Sequence, residues 1–234
     1  MKKTAIFFDV DDTLLDNHNA FRQTLCQLWP NWQVSQGELM RLYQKFRADS
    51  ETIYAQAQTE KAHVFLSSHE RWAHLIKEIG ASGEQSPQQA DQLYHKYQQQ
   101  ENLSPEWVQL FKQLQNQTSV QVGVFTNGFK KVQQKKIAQL KLANYLVPEW
   151  LLISEAFGDA KPNVSCFEKL KICLPSTIEQ FIYLGDSYRN DIVPSLAAGW
   201  QPIWINRFEE TRTQKGVIEA TSIPEAVRQL QQLL

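Results

Sequence analysis

The sequence has no excess of either charge and no long hydrophobic run. Its 234 residues include 24 Lys and Arg against 25 Asp and Glu, so the charge balance does not favour a nucleic acid polymer or an anionic membrane as a partner. No segment approaches the ~18–20 consecutive apolar residues of a membrane-spanning helix. The apolar start MKKTAIFF ends at Asp9, short of the roughly 7–15 apolar residues of a secretory signal. These absences favour chemistry on small molecules, with no membrane segment.

Cysteine is scarce, and one common nucleotide-binding motif is missing. Cys26, Cys166 and Cys173 form no CxxC pair and are odd in number, which is typical of reduced thiols in a protein core and predicts a cytoplasmic location. No GxxxxGK[ST] segment is present, which disfavours a P-loop nucleotide site. Composition leaves the oligomeric state open between a monomer and a homodimer.

Five apolar segments rich in β-branched and aromatic residues predict the buried strands of a parallel sheet. They are TAIFF at 4–8, VQVGVF at 120–125, WLLIS at 150–154, FIYLG at 181–185 and PIWIN at 202–206. Helical patterns lie between the later segments, and one of them starts with Ser104 as N-cap and Pro105 as its first residue. This alternation predicts an α/β fold with a doubly wound parallel sheet.

Residues 17–100 interrupt the alternation of strands and helices. They contain no convincing strand, but they show several amphipathic helical stripes, with capping residues at Ser35 and Ser86. We therefore predict an α-helical insert at residues 17–100, and an α/β core made of residues 1–16 and 101–234.

Polar residues follow four of the predicted strands. They are Asp9 and Asp11 after the first, Thr126 and Asn127 after the second, Lys161 after the third, and Asp186 and Asp191 after the fourth. Because ligands of open α/β sheets bind at the carboxyl ends of the strands, we expect these side chains to meet. Four carboxylates together need a cation, and an all-oxygen set favours Mg²⁺. Magnesium with a lysine and a hydroxyl suits a phosphoryl group.

Each of these motifs has a purely structural alternative when it is taken alone. The alternatives are turn carboxylates at Asp9 and Asp11, a glycine turn at 126–128, a solvated lysine at Lys161 and a helix N-cap at Asp191. Asp16, the last carboxylate of DVDDTLLD, is interpreted as a linker residue.

Taken together, the segments DVDDT, TNG, KP and GDSYRND resemble, in this order, the four motifs of the haloacid dehalogenase-like (HAD) superfamily. The resemblance covers the whole predicted core and implies a Rossmann-like (Rossmannoid) α/β fold. The insert resembles the superfamily's α-helical cap of the first type, and TNGFKK and SEAFGDAKP resemble its nucleotidase-like branch. The function implied is a Mg²⁺-dependent phosphatase for a small phosphorylated metabolite, with nucleoside monophosphates as the leading candidates.

The resemblance also implies the roles of the reacting residues. Asp9 would attack phosphorus and form an aspartyl-phosphate. Asp11 would protonate the leaving group and then activate water. Thr126 and the amide of Asn127 would hold phosphoryl oxygens, and Lys161 would neutralise both Asp9 and the phosphate.

The same resemblance implies the metal ligands. They are the carboxylate of Asp9, the carbonyl of Asp11 and Asp186. Asp191 would orient metal-bound waters or the lysine of the third motif, with Ser187 and Asn190 in support.

Three other functions are weighed against the phosphatase. A phosphoglucomutase-like phosphotransferase shares the D-x-D motif and a helical cap, and it stays open. A dehalogenase is disfavoured because relatives with that activity lack an acid at the position of Asp11. A non-catalytic ligand-binding relative is disfavoured because all the catalytic positions are filled.

Overall fold

The computed structural model describes residues 2–60, 69–81 and 85–234, with side chains left undescribed at 54–60. The chain divides into two compact units. The α/β unit comprises Met1–Leu15 and Asn102–Leu234, and the helical unit comprises Asp16–Glu101.

Six strands form one parallel sheet in the α/β unit. They are β1 (Thr4–Phe8), β2 (Val120–Thr126), β3 (Leu151–Ile153), β4 (Gln180–Gly185), β5 (Gln201–Ile205) and β6 (Ile218–Ala220), in the order β3-β2-β1-β4-β5-β6. The predicted doubly wound parallel sheet is confirmed, and its five predicted strands are present. The prediction missed β6 because a three-residue edge strand with the sequence IEA shows no apolar run.

Among the residues that the structure describes, ten α-helices surround the sheet or form the helical unit. They are α1 (Asn17–Leu28), α2 (Gln36–Glu60), α3 (Glu70–Glu78), α4 (Pro87–Gln98), α5 (Pro105–Leu114), α6 (Lys130–Gln139), α7 (Ser154–Phe157), α8 (Val164–Cys173), α9 (Val193–Ala197) and α10 (Ile223–Leu233). In the described chain the first four lie in the helical unit, and the other six in the α/β unit.

Both faces of the sheet are buried. Because successive side chains of a strand point to opposite faces, Ile6 and Phe8 enter one apolar cluster, whereas Ala5 and Phe7 enter the other. Because both faces of β1 are buried, the strand is a continuous apolar run and not an alternation of apolar and polar residues. Helix α5 packs on the first cluster through a buried stripe that includes Trp107.

The predicted helix starts are found in the structure. Ser104 accepts a hydrogen bond from the Trp107 amide at the start of α5. Ser86 and Gln89 form a reciprocal capping box at the start of α4. Asp16, interpreted as a linker residue, lies where the two units join, and its carboxylate also caps α1 by accepting from the amide of Asn19 at 3.1 Å.

The helical unit has an aromatic core of its own. It is formed by Phe21 of α1, Tyr43 and Phe46 of α2, Trp72 of α3 and Tyr94 of α4, all buried. The closest ring pair, Phe46 and Trp72, has centroids 4.7 Å apart. This core accounts for the stability of an insert without strands among its described residues.

The cysteines are only partly where composition places them. Cys166 is buried on the inner face of α8, but Cys26 and Cys173 are exposed. The expectation that all three thiols lie in the core is therefore wrong for Cys26 and Cys173. These two residues lie outside the buried stripes of α1 and α8. Within the described chain, no helix is both long and apolar enough to cross a membrane.

Candidate active site

Strand register brings the four motifs to one edge of the sheet. Phe8, the last residue of β1, pairs with Val124 on one side and Leu184 on the other. Asp9 follows directly, and its amide donates to the carbonyl of Leu184 at 2.9 Å. Thr126 and Asp186 each lie two positions beyond these partners. The parallel sheet thus collects residues separated by up to 177 positions in the sequence.

Lys161 lies at the centre of a buried ionic cluster. Its Nζ donates to Asp9 Oδ1 at 2.7 Å, to Asp191 Oδ1 at 2.6 Å and to the Tyr183 hydroxyl at 2.8 Å. The lysine is 5% exposed, which excludes the structural alternative of a solvated lysine before a proline. A buried ammonium is stable only when it is paired and hydrogen-bonded, as this one is.

Asn127 fixes the backbone of this lysine. The Asn127 Nδ2 donates to the carbonyl of Lys161 at 2.6 Å, and the Lys161 amide donates back to Asn127 Oδ1 at 3.0 Å. This reciprocal pair joins the end of β2 to the loop before α8. The sequence predicted that the amide of Asn127 holds a phosphoryl oxygen. It did not predict that the Asn127 side chain binds the backbone of Lys161.

Burial and charge oppose one another in the cluster. Burial raises the pKa of Asp9 to about 7, against the lowering effect of Lys161, and the nearby carboxylates of Asp191 and Asp11 add to the rise. Burial by itself lowers the pKa of Lys161, but the carboxylates of Asp191 and Asp9 outweigh burial and raise it well above its usual value. The lysine therefore stays charged beside a carboxyl that titrates near neutrality.

Tyr183 completes the surroundings of the lysine. Burial raises the pKa of its hydroxyl well above the usual value, so the group is neutral and can act as donor and acceptor together. It accepts from Lys161 and donates to the carbonyl of Phe125 at 2.7 Å. Sequence reasoning missed Tyr183 because it lies inside β4 and reads as one more aromatic residue of a buried strand.

Three buried carboxylates could share a cation. Asp9, Asp186 and Asp191 each offer an oxygen, and these atoms lie within 4.8 Å of one another. An oxygen-only set fits Mg²⁺ by donor chemistry. Thr13 donates to Asp186 Oδ1 at 3.5 Å, which helps to hold this carboxylate. The grouping includes Asp191, which was not among the metal ligands predicted from the sequence.

Asp191 is not a helix N-cap. It lies in a helical turn at Tyr188–Ile192, and α9 begins only at Val193 without a side-chain cap. Its carboxylate accepts from Lys161 and also from the amide of Ser187 at 3.0 Å. Added at Gly185, a Cβ would overlap the Asp191 carboxylate, which is why glycine precedes the aspartate of GDSYRND.

The remaining predicted residues lie around this cluster. Thr126 is buried, and its hydroxyl donates to the carbonyl of Asn127 at 3.4 Å. Ser187 caps the turn by accepting from the amide of Asn190 at 3.3 Å. The catalytic and binding roles of all these residues stay predictions.

The second predicted carboxylate, Asp11, is bound by α6. Lys136 Nζ contacts both of its carboxylate oxygens, at 2.6 and 2.8 Å, and Gln133 Nε2 contacts Oδ2 at 3.0 Å. Sequence reasoning missed both partners. The available signal was a glutamine and a lysine three residues apart on the helix that follows TNG.

Sequence comparison shows what this chain is similar to. Residues 3–199 match the family model described as haloacid dehalogenase-like hydrolase. Pyrimidine 5'-nucleotidase YjjG of Escherichia coli strain K12 is 31% identical over 117 residues, so the match spans 50% of this chain and half the length of that relative. Glyceraldehyde 3-phosphate phosphatase of Methanothermobacter thermautotrophicus is 23% identical over 246 residues, covering 98% and 99% of the two chains.

Solved structures share the fold along the full chain. The HAD-hydrolase YfnB from Bacillus subtilis, bound to magnesium, has a TM-score of 0.68 at 21% identity, with 100% of this chain and 99% of that one covered. L-2-haloacid dehalogenase from Xanthobacter autotrophicus has a TM-score of 0.69 at 14% identity, with 100% of both chains covered. At these identities the likeness shows the architecture alone.

Proposed function

The chain belongs to the haloacid dehalogenase-like hydrolase family, and from this premise we propose that it is a Mg²⁺-dependent phosphatase for a small phosphorylated metabolite. The observation that carries the proposal is the buried Lys161, which holds Asp9 and Asp191 within 2.7 Å. The ammonium of Lys161 favours the ionised form of Asp9 and orients its carboxylate in a buried site, and a nucleophile toward phosphorus needs both.

Asp9 is the proposed nucleophile. One of its carboxylate oxygens forms a bond to phosphorus while the bond from phosphorus to the leaving oxygen breaks, which produces an aspartyl-phosphate. Asp11 donates its proton to the leaving alkoxide. In the second half of the reaction Asp11 accepts a proton from water, the oxygen of this water bonds to phosphorus, and the acyl phosphate bond breaks to release phosphate and restore Asp9.

Lys161 and the residues near it are proposed to keep Asp9 ready for attack and to bind the phosphoryl group. The ammonium balances the charge of Asp9, so the carboxylate can be ionised although burial raises its pKa. Thr126, at the end of β2, and the Asn127 amide are proposed to bind phosphoryl oxygens. The Asn127 side chain keeps the lysine backbone in place.

The metal ligands are proposed to be the carboxylates of Asp9 and Asp186 with the carbonyl of Asp11, and the carboxylate of Asp191 lies beside them. When bound, Mg²⁺ supplies positive charge that the phosphoryl oxygens need as negative charge moves to the leaving group. YfnB, which has the same fold, binds magnesium, and this supports magnesium as the metal.

Nucleoside monophosphates are the proposed substrate class. The similarity to pyrimidine 5'-nucleotidase YjjG supports it over half of the chain. The similarity to glyceraldehyde 3-phosphate phosphatase extends over nearly the whole chain and makes a small sugar phosphate the second candidate. The assignment of residues 17–100 to a substrate-selecting cap, and a cytoplasmic location, stay predictions.

The test is phosphate release from nucleoside monophosphates, sugar phosphates and flavin phosphates, with Mg²⁺ or with EDTA. We expect release that needs Mg²⁺, is concentrated on one compound class and falls at least 1,000-fold in Asp9→Asn. Asp16→Asn is the matched control, since it changes a carboxylate of the same segment to an amide that still caps α1. Release that survives Asp9→Asn would show that the nucleophile is another residue. Transfer of phosphate between sugar phosphates without release would favour the phosphotransferase.

A further inference from the structure

The carboxylate of Asp11 is held by two residues of α6 that lie more than 120 positions away in the sequence. Lys136 donates to both carboxylate oxygens, and Gln133 donates to one of them. The three contacts are all 3.0 Å or shorter. This set of contacts restrains both the position and the rotation of the carboxylate.

Gln133 ties this carboxylate to the phosphate motif. Besides contacting Asp11, its Nε2 donates to the carbonyl of Asn127 at 3.0 Å. The glutamine is 4% exposed, and it fills the space over Gly128, where an added Cβ would lie 2.6 Å from Nε2. Gln133 therefore joins the turn after β2 to the carboxylate of Asp11.

Helix α6 supplies both contacts from one face. Gln133 and Lys136 are three residues apart, a spacing that places side chains side by side on a helix. Holding a lysine in one conformation costs rotamer entropy, and burying a glutamine costs solvation of its amide. Ion pairs at the protein surface seldom stabilise the fold by more than these costs. Here the same residues also restrain a carboxyl group that would transfer a proton, so stability is not the sole role that the contacts can have.

From these contacts we propose that Gln133 and Lys136 are positioning residues for Asp11, which align its carboxyl group with the leaving oxygen and then with the attacking water. The inference rests on the proposed function and deepens it. Proton transfer needs the donor and the acceptor within hydrogen-bond reach and in line, and a carboxyl group free to rotate loses that alignment. Neither residue touches the substrate in this proposal.

The experiment compares two substrates that differ in their need for an acid. Phenyl phosphate releases a basic phenolate, which needs the proton from Asp11, whereas p-nitrophenyl phosphate releases a stable anion that does not. The value of kcat/KM reports on this step for both compounds. For Lys136→Met we expect kcat/KM to fall by about 10- to 100-fold with phenyl phosphate, and by less than about 3-fold with p-nitrophenyl phosphate.

Two further variants separate positioning from folding. Lys136→Arg keeps a cation that can contact both oxygens, and we expect it to recover most of the activity on phenyl phosphate. Gln133→Leu fills a similar volume without the amide, and we expect the same selective loss at about 3- to 10-fold. Lys135→Met is the matched control, because it removes an exposed lysine from the same helix.

The outcomes distinguish this inference from the proposed function. Equal losses on both substrates, or full activity of Lys136→Met on phenyl phosphate, would overturn the positioning role and leave the phosphatase standing. A wild-type protein that releases phosphate from neither of these compounds, nor from any nucleoside monophosphate, sugar phosphate or flavin phosphate, would overturn the phosphatase and the inference together.

Discussion

Lys161 shows how one residue can decide the state of several others. It is buried between Asp9, Asp191 and Tyr183, and the two carboxylates keep it charged against the cost of burial. Breaking a buried ion pair by removing one partner leaves an uncompensated charge, which is more destabilising than replacing the whole pair. The stability of the cluster should therefore depend strongly on this lysine.

Replacing Lys161 by methionine keeps the volume and removes the charge. Asp9 already has a pKa raised to about 7, and without the lysine it rises further. A carboxyl whose pKa is higher in the folded than in the unfolded chain binds more protons when folded, so its contribution is favourable at low pH and is lost as the pH rises through the folded pKa. In EDTA we expect a loss of about 3–5 kcal/mol of unfolding free energy at pH 8, and a much smaller loss at pH 5.

Urea unfolding at several pH values measures this effect. Lys135→Met, which removes an exposed lysine, should show no pH-dependent loss. A loss for Lys161→Met that is the same at pH 5 and pH 8 would show that the carboxylates do not carry the effect.

At the scale of elements, the helical unit is held by contacts between helices in addition to its aromatic core. Arg71 of α3 donates to Asp91 of α4 at 3.0 Å, and its guanidinium lies 4.5 Å from the centroid of the Phe46 ring. Burial alone raises the pKa of Asp91, but hydrogen bonds and charge from His95 and Arg71 outweigh burial and lower it to about 2. This carboxylate should therefore stabilise the packing of α3 on α4.

Asp91→Asn tests this contribution. A carboxyl with a lowered pKa stabilises the fold above its unfolded pKa, and the stabilisation is lost as the pH falls through the folded value. We expect the variant to be less stable than the wild type by about 2 kcal/mol at pH 7, with the difference shrinking between about pH 4 and pH 2. Chemical unfolding across this range measures it, with Glu70→Gln, an exposed change on α3, as control. A difference that persists at pH 2 would assign the loss to packing.

At the scale of the whole molecule, the two units have separate cores, and the residues proposed for chemistry belong to one of them. Asp9, Asp11, Asp186 and Asp191 all lie in the α/β unit. The family match at residues 3–199 nevertheless includes the helical unit. Metal binding should therefore report on the α/β unit.

Mg²⁺ should stabilise the folded protein, because a ligand that binds only the folded state shifts the unfolding equilibrium. At 100 times the dissociation constant the gain is about 2.7 kcal/mol. Thermal unfolding with increasing MgCl₂ should show Tm rising for the wild type and for Asp16→Asn, but not for Asp186→Asn. A rise of Tm in Asp186→Asn equal to that of the wild type would remove Asp186 from the metal ligands.

Much of the fold can be predicted from local pattern. The buried strands appear as apolar runs, and the helix starts at Ser86 and Ser104 appear as capping residues. Strand β6 could not be predicted, because a three-residue strand at the edge of a sheet has too few buried positions to produce an apolar pattern in the sequence. The exposed positions of Cys26 and Cys173 were also missed, since composition does not show which face of a helix is buried.

The sequence by itself determined the order of the motifs and their places at strand ends, because strand periodicity and turn residues are local properties. Only the tertiary structure decided which side chains meet there. Lys161 contacts Asp191, and Lys136 contacts Asp11, across 30 and 125 positions of the sequence. These pairs depend on strand register and on how α6 packs, and both are set by the burial of residues distant in sequence. The charge state of the buried cluster follows from the same packing.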